Sequence, residues 1–130
     1  MKGKLLLLPA LVILTSALAA YAHHSFAATY LENQTITIEG KVVQFSFRNP
    51  HSFVQVEVDD GKEKLRWAVE WAGTTQLNNT GVTNDTLKYG DSVVITGNPG
   101  RNAADHRLRM RTVKRPDGFT WGTKPEEKVD

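Results

Sequence analysis

The sequence predicts a mainly all-β chain: a small five-stranded barrel with a short helix between strands 3 and 4. Three observations carry that prediction. Apolar and polar residues alternate with period two through separate segments between Thr35 and Arg115, the pattern of strands with one face in a core. Turn residues punctuate the segments, at Asn49-Pro50, Asp59-Asp60-Gly61, Tyr89-Gly90-Asp91 and Asn98-Pro99-Gly100. The first segment is long, and its alternation slips by one residue partway along.

In that first strand Ile36, Ile38, Gly40 and Val42 share a face, and Val43, Phe45 and Phe47 then continue the apolar series out of phase. A slip of one residue is what a β-bulge produces, and Gly40 eases the bend. The strand is therefore expected to be sharply curved and to serve two sides of a barrel. Val54, Val56 and Val58 alternate with polar residues in a second strand. Leu65, Trp67, Val69 and Trp71 form the apolar face of a third, opposite Lys64, Arg66, Ala68 and Glu70. Residues 74–80 read as a short helix capped by Thr74 and stopped by Gly81. Val93, Val94 and Ile95 mark a fourth strand, and His106 to Arg115 a fifth. The expected core is Ile36, Ile38, Val42, Phe45, Val54, Val56, Leu65, Trp67, Val69, Val93, Ile95, Leu108 and Met110. A bent first strand with a helix after the third fits an oligonucleotide/oligosaccharide-binding (OB) type barrel, with a meander or sandwich as the rival.

Residues 1–22 have the order of a signal peptide. Lys2 and Lys4 precede an apolar run from Leu5 to Leu18, and Ala20-Tyr21-Ala22 supplies small residues for cleavage before His23. That run is shorter than the ~20 residues that span a bilayer, so no membrane anchor is expected after cleavage. The barrel domain is placed at 23–121 and a polar tail at 122–130. The expected address is periplasmic, or secreted where the source has no outer membrane. The chain holds 16 basic and 14 acidic residues, and cleavage removes Lys2 and Lys4 to leave 14 of each. A neutral mature domain argues against nucleic acid as partner. There is no cysteine, which excludes disulfides, thiolate metal sites and cysteine catalysis.

His23-His24-Ser25-Phe26, Asn49-Pro50-His51, and Leu87-Lys88-Tyr89-Gly90-Asp91 leading into Val93, Ile95 and Gly97 carry a resemblance. Over residues 22–118 the chain resembles an uncharacterised family of small exported bacterial proteins, a domain of unknown function with an OB-like fold. The resemblance implies a fold and an address and lends no activity.

The new N-terminus offers the most specific chemistry. Cleavage would leave His23 with a free α-amine, which closes a chelate ring with its own Nδ1, and His24 or His51 could add another imidazole. All-nitrogen ligation suits Cu(II), or second Zn(II), so His23, His24 and His51 are the candidate metal ligands. Against this, the plainer reading of His23 and His24 is a tolerant chain end, and that of His51 part of a turn. His106, after Asp105, reads as a solvated surface residue. Glu70 reads as a surface charge facing Lys64 or Arg66, with an imidazole-orienting role as the minor alternative. Arg107, Arg109 and Arg111 form a stripe that reads first as protection of an edge strand, and second as a track for an anionic polymer. Trp67 and Trp71 read as core, and Trp121 as the exposed aromatic.

None of the standard hydrolase, phosphate-loop or dinucleotide motifs occurs in the sequence, so no enzyme activity is expected. The function expected is a small exported β-barrel that binds Cu(II) through its mature N-terminal histidine. The alternative is a metal-free periplasmic adaptor that binds a protein or anionic polymer through the barrel face and the arginine-rich strand.

Overall fold

The computed structural model describes residues 26–122. The expected signal peptide, His23, His24 and the tail from 123 onward lie outside the described residues. After a helical turn at 26–29 come β1 (Ile36–Ser46), β2 (Phe53–Asp59), β3 (Lys64–Glu70), helix α1 (Thr74–Asn79), β4 (Ser92–Pro99), β5 (Arg107–Lys114) and β6 (Thr120–Trp121). A 3-10 turn at Ala103–Asp105 precedes β5. The sheet runs β3-β2-β1-β4-β5-β6, and a parallel pairing of β3 with β5 closes the first five strands into an OB-like barrel.

β1 serves two sides of the barrel, as its pattern predicts. Ile36 to Lys41 pair with β4, while Lys41 to Ser46 pair with β2, and the β2 register shifts between Val42 and Gln44. The extra residue is Val43, where the alternation slips. Gly40 lies just before it, and a Cβ there would collide with the Glu57 carbonyl oxygen of the neighbouring strand. The glycine thus permits the close approach of β1 to β2 at the bend.

Nine of the thirteen expected core residues are buried: Ile38, Val42, Val54, Val56, Val69, Val93, Ile95, Leu108 and Met110. Ile36, Phe45 and Trp67 are half-buried against that cluster, and Leu65 is also only partly covered. The core extends further, to Tyr30, Trp71, Leu77, Val82, Leu87 and Val113. Leu77 explains how a polar helix belongs in the fold: α1 buries this one side chain and exposes much of its remaining surface. The helix N-cap is Gly73, which makes no side-chain cap bond, so Thr74 is not the cap. Its amide donates instead to Asn49 Oδ1 at 2.9 Å, from the β1–β2 connection.

Three expectations about β3, β5 and the C-terminal aromatic are corrected. β5 is not an edge: it pairs with β4, with β3 over Ala68–Glu70, and with β6. Trp121 is not an exposed aromatic but a half-buried one. It pairs with Val113 in β6, packs edge-on against Trp71 at 5.1 Å and donates from Nε1 to Thr80 at 2.9 Å. Glu70 is no surface charge, being 8 % exposed at the barrel seam. Lys64, one of its expected partners, pairs with Glu57 at 3.1 Å.

Candidate functional site

The site is built where the end of β3 meets the β1–β2 connection. That connection, Asn49-Pro50-His51, is locked at both ends. Ser52 is buried and exchanges backbone hydrogen bonds with the chain after β3: its amide donates to Ala72 at 3.0 Å, and its carbonyl accepts from Trp71 at 2.8 Å. Gly73 lies so close that a Cβ would sit 2.6 Å from the Pro50 carbonyl oxygen and 2.7 Å from Asn49 Oδ1. The connection is pressed onto the barrel mouth, and His51 is carried to Glu70.

His51 Nδ1 lies 2.6 Å from Glu70 Oε1. An ionised carboxylate only accepts, so Nδ1 carries the hydrogen, and in the neutral ring Nε2 holds the lone pair. Among the described residues nothing makes a hydrogen bond to Nε2. The other carboxylate oxygen, Oε2, accepts from the Tyr30 hydroxyl and lies 3.7 Å from Arg107 Nη2. Both oxygens are therefore engaged, which is how a nearly buried carboxylate is tolerated. Tyr30 is 1 % exposed. Burial, reinforced by the hydrogen bond to Glu70, pushes its phenol well above the usual tyrosine range.

The chain before β1 is tied to the same corner. The Tyr30 amide donates to Phe26, Arg101 binds the Ala27 carbonyl through Nε at 2.7 Å, and Tyr30 bridges Gly100. Phe26 lies between two cationic or ionisable groups. Its ring is 5.3 Å from that of His51, and the Arg109 guanidinium stacks 3.7 Å from its centroid. Arg109 also pairs with Glu32 at 3.3 Å. These contacts hold residue 26 beside His51, so His23 belongs to a segment starting only three residues upstream.

The arginine stripe is mostly committed within the molecule. Arg107 faces Glu70, Arg109 faces Glu32 and Phe26, and Arg111 donates from Nε to Asn98 at 2.8 Å. His106 lies apart from His51, against Trp67 at 5.3 Å, with a left-handed backbone (φ 45°) after the 3-10 turn. No cluster of three or more His, Asp or Glu side chains with metal-binding geometry occurs among the described residues. The described residues thus supply one oriented imidazole, His51, and the carboxylate that orients it; His23 and His24 would have to complete a metal set.

Sequence reasoning names His51 and sees a minor role for Glu70, but misses Tyr30. No local signal marks Tyr30, which lies outside any alternating segment and 40 residues before its carboxylate partner. None of the described helices is long and apolar enough to cross a membrane.

One family model matches residues 11–109, that of a family of unknown function, DUF6152, and the chain belongs to that family. No curated protein matches the chain.

Proposed function

We propose that this member of a family without an assigned activity is an exported protein that binds Cu(II) through the α-amine and imidazole of His23, with His51, and with His24 as a further imidazole. The observation that carries the reading is the 2.6 Å contact between Glu70 Oε1 and His51 Nδ1. A metal-binding histidine characteristically donates its other ring nitrogen to a carboxylate, which sets the tautomer, fixes the ring and raises its basicity. Phe26 against His51 adds support, because three residues of chain span at most ~10 Å. When bound, the metal would supply its affinity for nitrogen donors; the protein's part is to present His51 Nε2 at a fixed orientation. Zn(II) is the second choice, because the divalent affinity order favours copper on nitrogen ligands. The adaptor reading has less support, since the arginines it relies on are largely paired within the fold.

The test alters no side chain. A version with one extra residue before His23 keeps every imidazole and turns the α-amine into an amide. The exported protein, whose intact mass should show a start at His23, is expected to bind Cu(II) at least about tenfold more tightly than the extended version. A peptide of residues 23–30 controls for loose binding by adjacent histidines. If the peptide matches the protein, or the extended version matches the exported one, the copper reading fails.

A further inference from the structure

His51 and Glu70 form part of the wall of a cleft of about 320 Å³, whose other walls the copper reading does not use. Its size suits a small organic molecule, being at the lower end of the range of ligand sites. Phe26, Ala72, Met110 and Trp121 give it apolar wall, and Gln76 and Arg111 polar wall. Besides His51 Nε2, Arg111 and Trp71 in it have hydrogen-bonding capacity that the fold leaves unused.

The first is Arg111. It is exposed, and its Nε is satisfied by the neutral side chain of Asn98. Among the described residues no carboxylate pairs with it, whereas Arg107, Arg109 and Arg115 each have one. Its charge is open to an anion from the cleft, and a guanidinium fork matches a carboxylate in shape. The second is Trp71, 3 % exposed, whose indole N–H is the only buried side-chain polar group without a hydrogen-bond partner among the described residues. A buried donor carries an energetic cost until an acceptor reaches it. Trp121, packed edge-on over Trp71, belongs to a strand of two residues. Glu70, the carboxylate in the wall, already has both oxygens engaged by His51, Tyr30 and Arg107.

We infer that this cleft binds a small carboxylate with an apolar body, the carboxylate taken by Arg111 and the Trp71 indole N–H and the body lying against Met110 and Trp121. The site needs no metal.

The test uses phenylacetate and its uncharged analogue phenylacetamide as probes on the full exported protein. Binding is measured by calorimetry and tryptophan fluorescence with a chelator present, so the result is independent of the copper reading. Phenylacetate should bind saturably below about 10 mM, the affinity range of a fragment of this size. It should bind about tenfold more tightly than the amide, the fold-change that one charge-assisted hydrogen bond carries. Arg111→Gln should abolish that preference, Trp71→Phe should weaken phenylacetate several-fold with the ring retained, and Arg66→Gln, at an exposed position on β3, should change nothing. Absence of saturable binding, equal affinity for acid and amide, or unchanged affinity in Arg111→Gln would each overturn the proposal. The acid–amide comparison needs no variant, so it decides even if a substitution unfolds the barrel.

Discussion

Glu70 holds His51 by its Nδ1, at 2.6 Å, from a position at the end of β3 where the barrel closes. In register Glu70 lies across from Phe53 on β2 and from Arg109 on β5, so the strand pairing that shuts the barrel also positions the residue that holds the imidazole. Fold and candidate site therefore share one residue, and that linkage makes the effect of changing it predictable.

Glu70→Gln should lower Cu(II) affinity by on the order of 10- to 100-fold, because an amide orients and polarises the imidazole less well than a carboxylate. Glu70→Ala should in addition cost about 2–3 kcal/mol of stability, since the Tyr30 hydroxyl and Arg107 lose a charged acceptor at a buried seam. Copper titration and urea melts of both variants check this. A Gln variant with unaltered copper affinity would sever Glu70 from the metal reading.

The two tryptophans of the third strand and its extension should behave differently. Trp71 is buried in the core and Trp67 only half-buried. Trp71→Ala should cost about 3–5 kcal/mol, the range for emptying an aromatic core position, and Trp67→Ala clearly less. Equal losses in denaturant melts would contradict the facing of β3 described above.

Arg109→Ala tests whether the arginine stripe is solvated or structural. A solvated surface arginine would lose less than about 0.5 kcal/mol. Stacking on Phe26 and pairing with Glu32 raise the expected loss to about 1–2 kcal/mol, discounted because both side chains of the ion pair remain partly exposed. The same substitution should increase hydrogen exchange at Ala27 to Tyr30, which Arg109 helps to hold through Phe26.

Tyr30 gives the protein an alkaline limit. Its phenol titrates higher when folded than when unfolded, through burial and then the hydrogen bond to Glu70. The unfolded chain therefore releases this proton first, at about pH 10, and binds fewer protons than the folded chain above that point. Stability contributed by the neutral phenol is complete below about pH 10 and falls as pH rises further. Tyr30→Phe should flatten that decline in melts taken between pH 8 and 11. An unchanged slope would show that other groups set it.

Five of the six strands are legible in the residues, while β6, with two residues, is too short to show an alternation. Alternation is a one-dimensional signal, so β1 with its bulge at Val43, β2, β3 and most of the buried set could be read directly, including the two-sided role of β1. The histidine beside Asn49-Pro50 also stands out in the sequence, but its contact with Glu70 does not. Tertiary structure decided what those residues face. The arginines of β5 alternate with apolar residues as on an edge strand, yet parallel pairing with β3 covers it, and no local pattern encodes a pairing between strands nearly 40 residues apart. Glu70 occupies the outward phase of its strand and is buried all the same, since Tyr30, His51 and Arg107 converge on it from three separate segments. A carboxylate's exposure depends on which distant donors the closed barrel brings to it, and that is fixed only when β3 and β5 meet.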